Sequence, residues 1–411
     1  MLRAMASHLD RRDFLRLSGL TLAGAALAGA GLGACQVGPR PRTDKPRKDG
    51  PLALGIIGVG GRGADNLSAV AGENIVALCD VDADHLAAAA QQFPNARLFS
   101  DYRVMLAAVP LDAVVISTPD HTHAPATLAA LDAGCDVYCE KPLARTVAEV
   151  RAMEAAAVRL GAVTQMGTQI HAGDNYRRVV ELVRSGAIGT VREAHCWVSK
   201  SWGGGGRPRD TPPVPAALDW ELWLGSAPRR PYSPEYHPAG WRRFWDFGTG
   251  TLGDMGCHHL DLPFWALDLG RPGDARAWGP PPSPETAPLA LRVRWSFPGV
   301  ALWWHDGGLR PPQFEQGLLP EWGDGTLFIG DDGMLLADYG RYVLLPEDRF
   351  QDFAPPAPTI PTSVGHHQEW LDACRTRGTA SCDFRYAGPL TETVLLGVEA
   401  HRRSLGVPKA S

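Results

Sequence analysis

Two groups of residues in this 411-residue chain have types and spacings that could do chemistry. Gly58-Val59-Gly60-Gly61-Arg62-Gly63 follows an apolar run and opens a helical stretch. Glycines so spaced allow a tight turn and let a pyrophosphate approach the backbone at a helix N-terminus. Asp80 closes the next apolar run about 20 residues on, where a carboxylate can accept hydrogen bonds from an adenosine ribose. A carboxylate there repels a 2′-phosphate, so the pair predicts NAD over NADP, with Arg62 the residue that could offset the repulsion. The second group is Gly253-Asp254-Met255-Gly256-Cys257-His258-His259-Leu260-Asp261. Asp254 and His258, four apart, share a helix face, whereas His259 is rotated away by about 100°. An imidazole there could take the proton of a secondary hydroxyl, and the carboxylate one turn away could set its tautomer or bind a neighbouring hydroxyl. A helix cap at Thr251-Leu252-Gly253-Asp254 is the competing structural reading. A metal site from His258, His259 and Asp261, with His366 and His367, lacks a ligand set on one face, so no metal is expected.

These residues need elements to position them. Short apolar runs at 52–58, 75–80, 113–117 and 136–139 alternate with helical periods, which predicts a parallel sheet covered on both faces. Helical stretches at 147–160 and 174–185 bracket a strand at 162–166. After Gly189 the pattern changes to a strand reaching Ser199, a Gly/Pro/Trp-rich loop region, one helix over 251–267, and strands near 291–297, 326–329 and 334–337. Gly330-Asp331-Asp332-Gly333 reads as a hairpin turn, so the later sheet should be antiparallel. Helices at 365–377 and 389–405 should pack back on the body. The expected fold is an α/β Rossmann dinucleotide-binding domain, 52–172, followed by an α+β domain, 173–408, with a large, mainly antiparallel sheet.

Ser117-Thr118-Pro119-Asp120-His121-Thr122-His123 ends the 113–117 run and Cys139-Glu140-Lys141-Pro142 follows the 136–139 run, where open α/β sheets bind ligands. Together with the glycine fingerprint and the later Gly-Asp-x-x-x-His, in this order, they make the chain resemble the glucose-fructose oxidoreductase, inositol dehydrogenase and rhizopine-catabolism (Gfo/Idh/MocA) family. The resemblance runs from about Leu52 to the C-terminus. It implies that Lys141 sits beside a nicotinamide and a substrate hydroxyl, with Glu140 and Pro142 fixing its backbone; a Lys partly desolvated there suits proton transfer. By the same matching, Thr118, Pro119 and His123 belong to the cofactor side and Gln169 lies near the ligand. His121 is expected in a loop, Asp261 behind the site, and His171, Trp241 and Arg242 along the same cleft. The implied activity is reversible oxidation of a secondary hydroxyl on a sugar, cyclitol or glycoside, with hydride passing to the nicotinamide. Two rivals are a redox-neutral epimerase, lyase or glycoside hydrolase working through a transient keto-sugar, and a sugar-binding lipoprotein without chemistry. Pairing of the second sheet into a homo-oligomer is also implied.

Composition narrows the partners. With 45% hydrophobic and 21% charged residues the chain can fill two packed domains, and its net charge of −5 is spread rather than blocked. No basic stripe marks a nucleic-acid partner, so a small molecule is expected. Trp and Gly concentrate between Trp197 and Trp245, where flat rings and open backbone suit carbohydrate. Arg11-Arg12-Asp13-Phe14-Leu15 before an Ala/Gly/Leu stretch reads as a twin-arginine export signal, which predicts a periplasmic protein. The stretch from Leu17 to Ala34 is short and Gly-rich for the ~20 residues of a membrane span. Leu32-Gly33-Ala34-Cys35 resembles a lipobox, so Cys35 would be the sole membrane anchor, with ordinary cleavage as the alternative and 36–51 as a tether. Cys374 and Cys382 are close enough in sequence for a local disulfide. Because the periplasm has no expected free NAD pool, the cofactor should travel in tightly bound.

Overall fold

A computed structural model describes residues 47–403. The export signal, Cys35 and most of the tether therefore lie outside the described residues. The first half alternates β1 (Ala53–Ile57), α1 (Arg62–Ala69), β2 (Asn74–Cys79), α2 (Ala83–Gln92), β3 (Arg97–Phe99), α3 (Tyr102–Ala108), β4 (Ala113–Ile116), α4 (Asp120–Asp132), β5 (Asp136–Cys139), α5 (Val147–Leu160) and β6 (Thr164–Met166). All six strands pair in parallel in the order β3-β2-β1-β4-β5-β6. Their sequence is near-continuously apolar because side chains alternate between two buried faces. Val114, Ile116, Val137 and Cys139 join α3, α4 and α5 in one core. Ala113, Val115 and Tyr138 face the opposite way, toward α1 and α2. The strand order reverses between β1 and β4, which opens a crevice at their C-terminal ends.

The chain continues through α6 (Asp174–Arg184), β7 (Val191–Trp197), α7 (Trp220–Leu224), α8 (Gly250–His259), α9 (Asp261–Leu267), β8 (Asp274–Trp278), β9 (Arg292–Phe297), β10 (Val300–His305), β11 (Gly325–Gly330), β12 (Met334–Ala337), β13 (Tyr342–Leu345), α10 (His366–Thr376) and α11 (Phe384–Arg402). Seven strands form a second sheet, ordered β13-β12-β11-β7-β10-β9-β8, antiparallel except where β10 meets β7. Its inner face, including Trp295, Leu302, Trp304 and Phe328, packs into one core with α8, α9 and α11. Gly330 N–H donates to Gly333 O at 2.9 Å and closes the expected hairpin.

Four departures have physical causes. The single helix expected over 251–267 is two, because Pro263 cannot extend a helix back through its fourth predecessor, His259. The His259 carbonyl this frees finds a side-chain donor in Cys196 Sγ–H, and the Tyr176 hydroxyl donates to the adjacent His258 O. The last helix begins five residues before the expected Pro389, because Asp383 caps the amides of Arg385 and Tyr386. Strands β3, β8, β10 and β13 go beyond the expected set: β3 and β13 span only three and four residues, and β8 and β10 are only partly buried. The local disulfide does not form: Cys374 is a thiol in the core under β1 and β4, whereas Cys382 sits by β6, where its amide donates to Gln165 Oε1.

The expected second domain also shares a helix with the first. Trp370 and Leu371 of α10 pack on the same sheet face as α1 and α2, alongside Val115 and Tyr138. That face, over β4 and β5, would otherwise be bare.

Candidate active site

Sequence fixes the floor of the crevice. Gly58 follows β1 with φ +82°, and a Cβ there would stand 2.7 Å from Ser117 O, so both conformation and space demand glycine. At Gly63 a Cβ would run into the Gly58 carbonyl as α1 begins. Asp80 braces this loop: its Oδ2 accepts Val59 N–H at 2.8 Å and its Oδ1 accepts Asp82 N–H at 2.9 Å. The loop lines a cavity of about 900 Å³ that also takes in Thr118, Pro119, Glu140 and Lys141. The Thr118 hydroxyl is buried without a partner on its wall. Bare glycine backbone, the Arg62 guanidinium, a carboxylate after β2 and an unpartnered hydroxyl fit a dinucleotide.

At the other end of the cavity, Lys141, arriving after β5, meets α8. Its Nζ donates to both the backbone O and Oδ1 of Asp254 at 2.8 Å, while Arg242 Nε donates to the same Oδ1 at 3.1 Å. Burial alone would raise the Asp254 carboxyl; the Lys141 and Arg242 cations outweigh it and hold the group well below the usual carboxylate range. His258, one turn on, is held well below the ordinary imidazole range by burial and then by the Lys141 charge, so it is neutral. Asp254 Oδ1 is thus engaged by two cations rather than setting the His258 tautomer. The capping alternative at Thr251 is not what forms, because α8 starts at Gly250 and Thr251 Oγ1 accepts Trp202 N–H.

Supporting groups pack behind. Glu140 Oε1 accepts from Asn66 Nδ2 at 2.9 Å and from Gln169 Nε2 at 2.8 Å, which ties Gln169 to the Lys141 loop. The Arg242 guanidinium lies 4.5 Å from the Trp241 ring centroid, and both line the cavity.

Three expected placements are corrected. His123 does not face the cleft: its ring nitrogens lie 2.7 Å from Pro142 O and Thr118 O, so it ties the two motif loops together from behind. His121 is no loop residue but a buried part of α4, packed on Trp223 and Phe247. His171 is buried too, its Nδ1 2.9 Å from Asp261 Oδ1 and its ring stacked on Trp265. The resemblance placed His123 and the segment placed His171 near the site, but their neighbours Thr122 and Ile170 line the cavity while these two imidazoles point behind it. The residues weighed as a metal set have separate partners: His259 with Tyr339, Asp261 with His171 and Tyr386, His366 with Met166, and His367 with Asn66.

The cavity also gathers residues that the sequence did not single out. Lys200, just past β7, places Nζ 3.6 Å from Met255 Sδ, a weak acceptor. Tyr339, in the turn after β12, and Asp120, opening α4, line it as well. Only Asp120, an acid at a strand's C-terminal end, carried a sequence signal.

Residues 52–168 match the Gfo/Idh/MocA model described as an oxidoreductase family with an NAD-binding Rossmann fold, and residues 177–270 match that family's C-terminal alpha/beta domain. Inositol 2-dehydrogenase 3 of Saccharopolyspora erythraea is 38% identical over 148 residues, covering 35% of this chain and 44% of that protein. D-apiose dehydrogenase of Paraburkholderia graminis is 38% identical over 138 residues, covering 33% and 37%. The chain thus aligns with less than half the length of either relative. The WlbA dehydrogenase from Bordetella pertussis, solved with NADH and UDP-GlcNAcA, matches with a TM-score of 0.63 at 17% identity, covering 86% of this chain and 97% of that one. At that identity the likeness is one of fold.

Proposed function

Because the chain belongs to the Gfo/Idh/MocA oxidoreductase family, we propose that it oxidises a secondary hydroxyl of a sugar, cyclitol or glycoside, using tightly held NAD. The observation that carries this reading is the meeting of Lys141, Asp254, Arg242 and neutral His258 in one cavity with the glycine loop. The relatives named as dehydrogenases of a cyclitol and of a sugar support the substrate class.

When bound along the glycine loop, the nicotinamide supplies the acceptor for hydride from the carbinol carbon. Lys141, paired with Asp254, stands where its Nζ can also donate to the oxygen of that carbinol. His258, uncharged, is ready to accept the hydroxyl proton. Arg242 and the faces of Trp241 and Trp202 offer contacts to the rest of the ring.

The reading extends to location. The twin-arginine sequence at Arg11-Arg12 supports export to the periplasm, with Cys35 as a lipid attachment point. Arg292, Arg294, Trp303 and Trp278, the last 48% exposed, share the outer face of β8 to β10 and support pairing with a second copy.

A panel of sugars, cyclitols and glycosides tests the activity, with the purified protein and no added cofactor. The expected result is reduced-nicotinamide absorbance together with a keto product. A product at the substrate's own oxidation level would move the reading to transient oxidation, as in an epimerase, lyase or hydrolase. No turnover with or without added NAD would contradict both.

A further inference from the structure

We propose that Asp82, His85 and His237 form a binding site for a divalent transition-metal ion that clasps the adenosine end of the cleft. The three come from two segments. Asp82 is the N-cap of α2, and its Oδ1 accepts the amides of Asp84 at 3.0 Å and His85 at 3.4 Å. The cap fixes the carboxylate and leaves Oδ2 available. His85, in the first turn of α2, holds Nδ1 3.9 Å from that Oδ2. His237 arrives from the loop between α7 and α8 and holds Nε2 3.8 Å from the same atom.

These separations are too long for hydrogen bonds, and among the described residues no other hydrogen bond engages either imidazole. Three donors therefore converge without satisfying one another. Atoms about 2.0–2.2 Å from an ion stand roughly 3.3–3.5 Å apart at a tetrahedral angle, so the Asp82 distances need close only slightly. No pair of the three donor atoms exceeds 4.8 Å. Two imidazoles and a carboxylate suit zinc and its borderline neighbours, and three protein ligands leave a coordination position open. The site is half-sheltered, with Asp82 and His237 side chains 14% and 15% exposed. A second carboxylate adds attraction for a cation, Asp80 Oδ2 standing 4.0 Å from His85 Nδ1.

The position gives the ion a role. The His85 ring lies against Gly60, where any Cβ would strike it, and His85 and His237 both line the cavity. An ion there ties α2, beside the glycine loop, to a segment from across the cleft. It would slow escape of a dinucleotide whose ribose is held at Asp80.

The full-length protein, stripped with chelator and freed of it, is titrated with Co2+ alone by visible absorption and with Zn2+ alone by calorimetry. The expected result is a single saturating ion at micromolar or tighter affinity. His85→Ala and His237→Ala should each weaken it by more than the ~10–100-fold typical of losing a supporting contact. Asp82→Asn, which keeps the helix cap, should weaken it with the melting temperature unchanged. Release of bound dinucleotide should be several-fold slower with Zn2+ than with chelator. Absence of saturable binding, or binding unchanged in all three variants, would overturn the site; equal release rates would overturn the clasp.

Discussion

Asp254 carries two cations on one carboxylate oxygen, and this sharing determines what each neighbour can lose. Removing Lys141 leaves Asp254 paired to Arg242, so the fold should survive Lys141→Ala while the hold on the substrate hydroxyl does not. Turnover of a substrate found by the panel should fall by ~10²–10³-fold, the usual worth of a donor aimed at the reacting oxygen, with dinucleotide content and melting temperature unchanged. Turnover within a few-fold of the parent would remove Lys141 from the mechanism. Asp80 braces the glycine loop and faces the ribose end of the cavity. Asp80→Ser should weaken NAD binding and narrow the preference over NADP, read as a ratio of dissociation constants; an unchanged ratio would mean that the ribose is read elsewhere.

Asp120 gives a pH prediction at the same scale. Burial pushes its carboxyl up to about 7, against the Thr249 hydroxyl bond and the Lys141 charge, which pull it down. Its folded value lies above the unfolded value of roughly 3.9, so the folded state binds more protons between them. The stability this contributes is full below about pH 4 and lost as pH rises through about 7. Asp120→Asn imitates the protonated acid, so its melting temperature should gain on the parent between pH 5 and pH 8. A constant gap across that range would contradict the raised value. Lys141, Asp254 and His258 were legible in the sequence because each lies in a short motif with a fixed place in the chain order. Lys200 and Tyr339 were not, because they follow β7 and β12, strands far apart in sequence that only the order of the second sheet brings near the cavity. His123 and His171 lie in segments that do reach the cavity, but which side of the segment each ring takes is set by buried partners, Pro142 O and Thr118 O for His123 and Asp261 for His171, that the sequence does not show.

At the scale of elements, strands buried on both faces wrote themselves as apolar runs, so β1, β2, β4 and β5 were readable where they stand. The edge strand β8, with its alternating Asp-Ala-Arg-Ala-Trp, was not, because half of it faces solvent. The α8–α9 break was also hidden, although Pro263 marked it, since a Pro in a helix's first turn and a Pro that ends a helix look alike until the partners of the His259 carbonyl are known. Helix α10 gives the test at this scale. Trp370, fully buried, closes the bare face over β4 and β5 and meets the Tyr138 ring edge-on at 5.6 Å. Trp370→Ala should cost about 3–5 kcal/mol of unfolding free energy by denaturant titration, as large-to-small core changes do. A loss below about 1 kcal/mol would mean that the helix is not part of the Rossmann core.

Over the described residues, a parallel sheet supplies the glycine loop and Lys141, while a mixed sheet and its helices supply Asp254, His258 and Arg242. That division was legible from the change in pattern after Gly189, although the return of α10 to the first sheet was not. No helix among the described residues is long and apolar enough to cross a membrane. Export with the cofactor already in place is the claim that joins the N-terminal sequence to this cavity. Mass spectrometry of the small molecules released on denaturing protein purified from its own export route tests it most directly. The account predicts NAD or NADH in near-stoichiometric amount. Protein that releases no dinucleotide, and binds none when it is added, would contradict it.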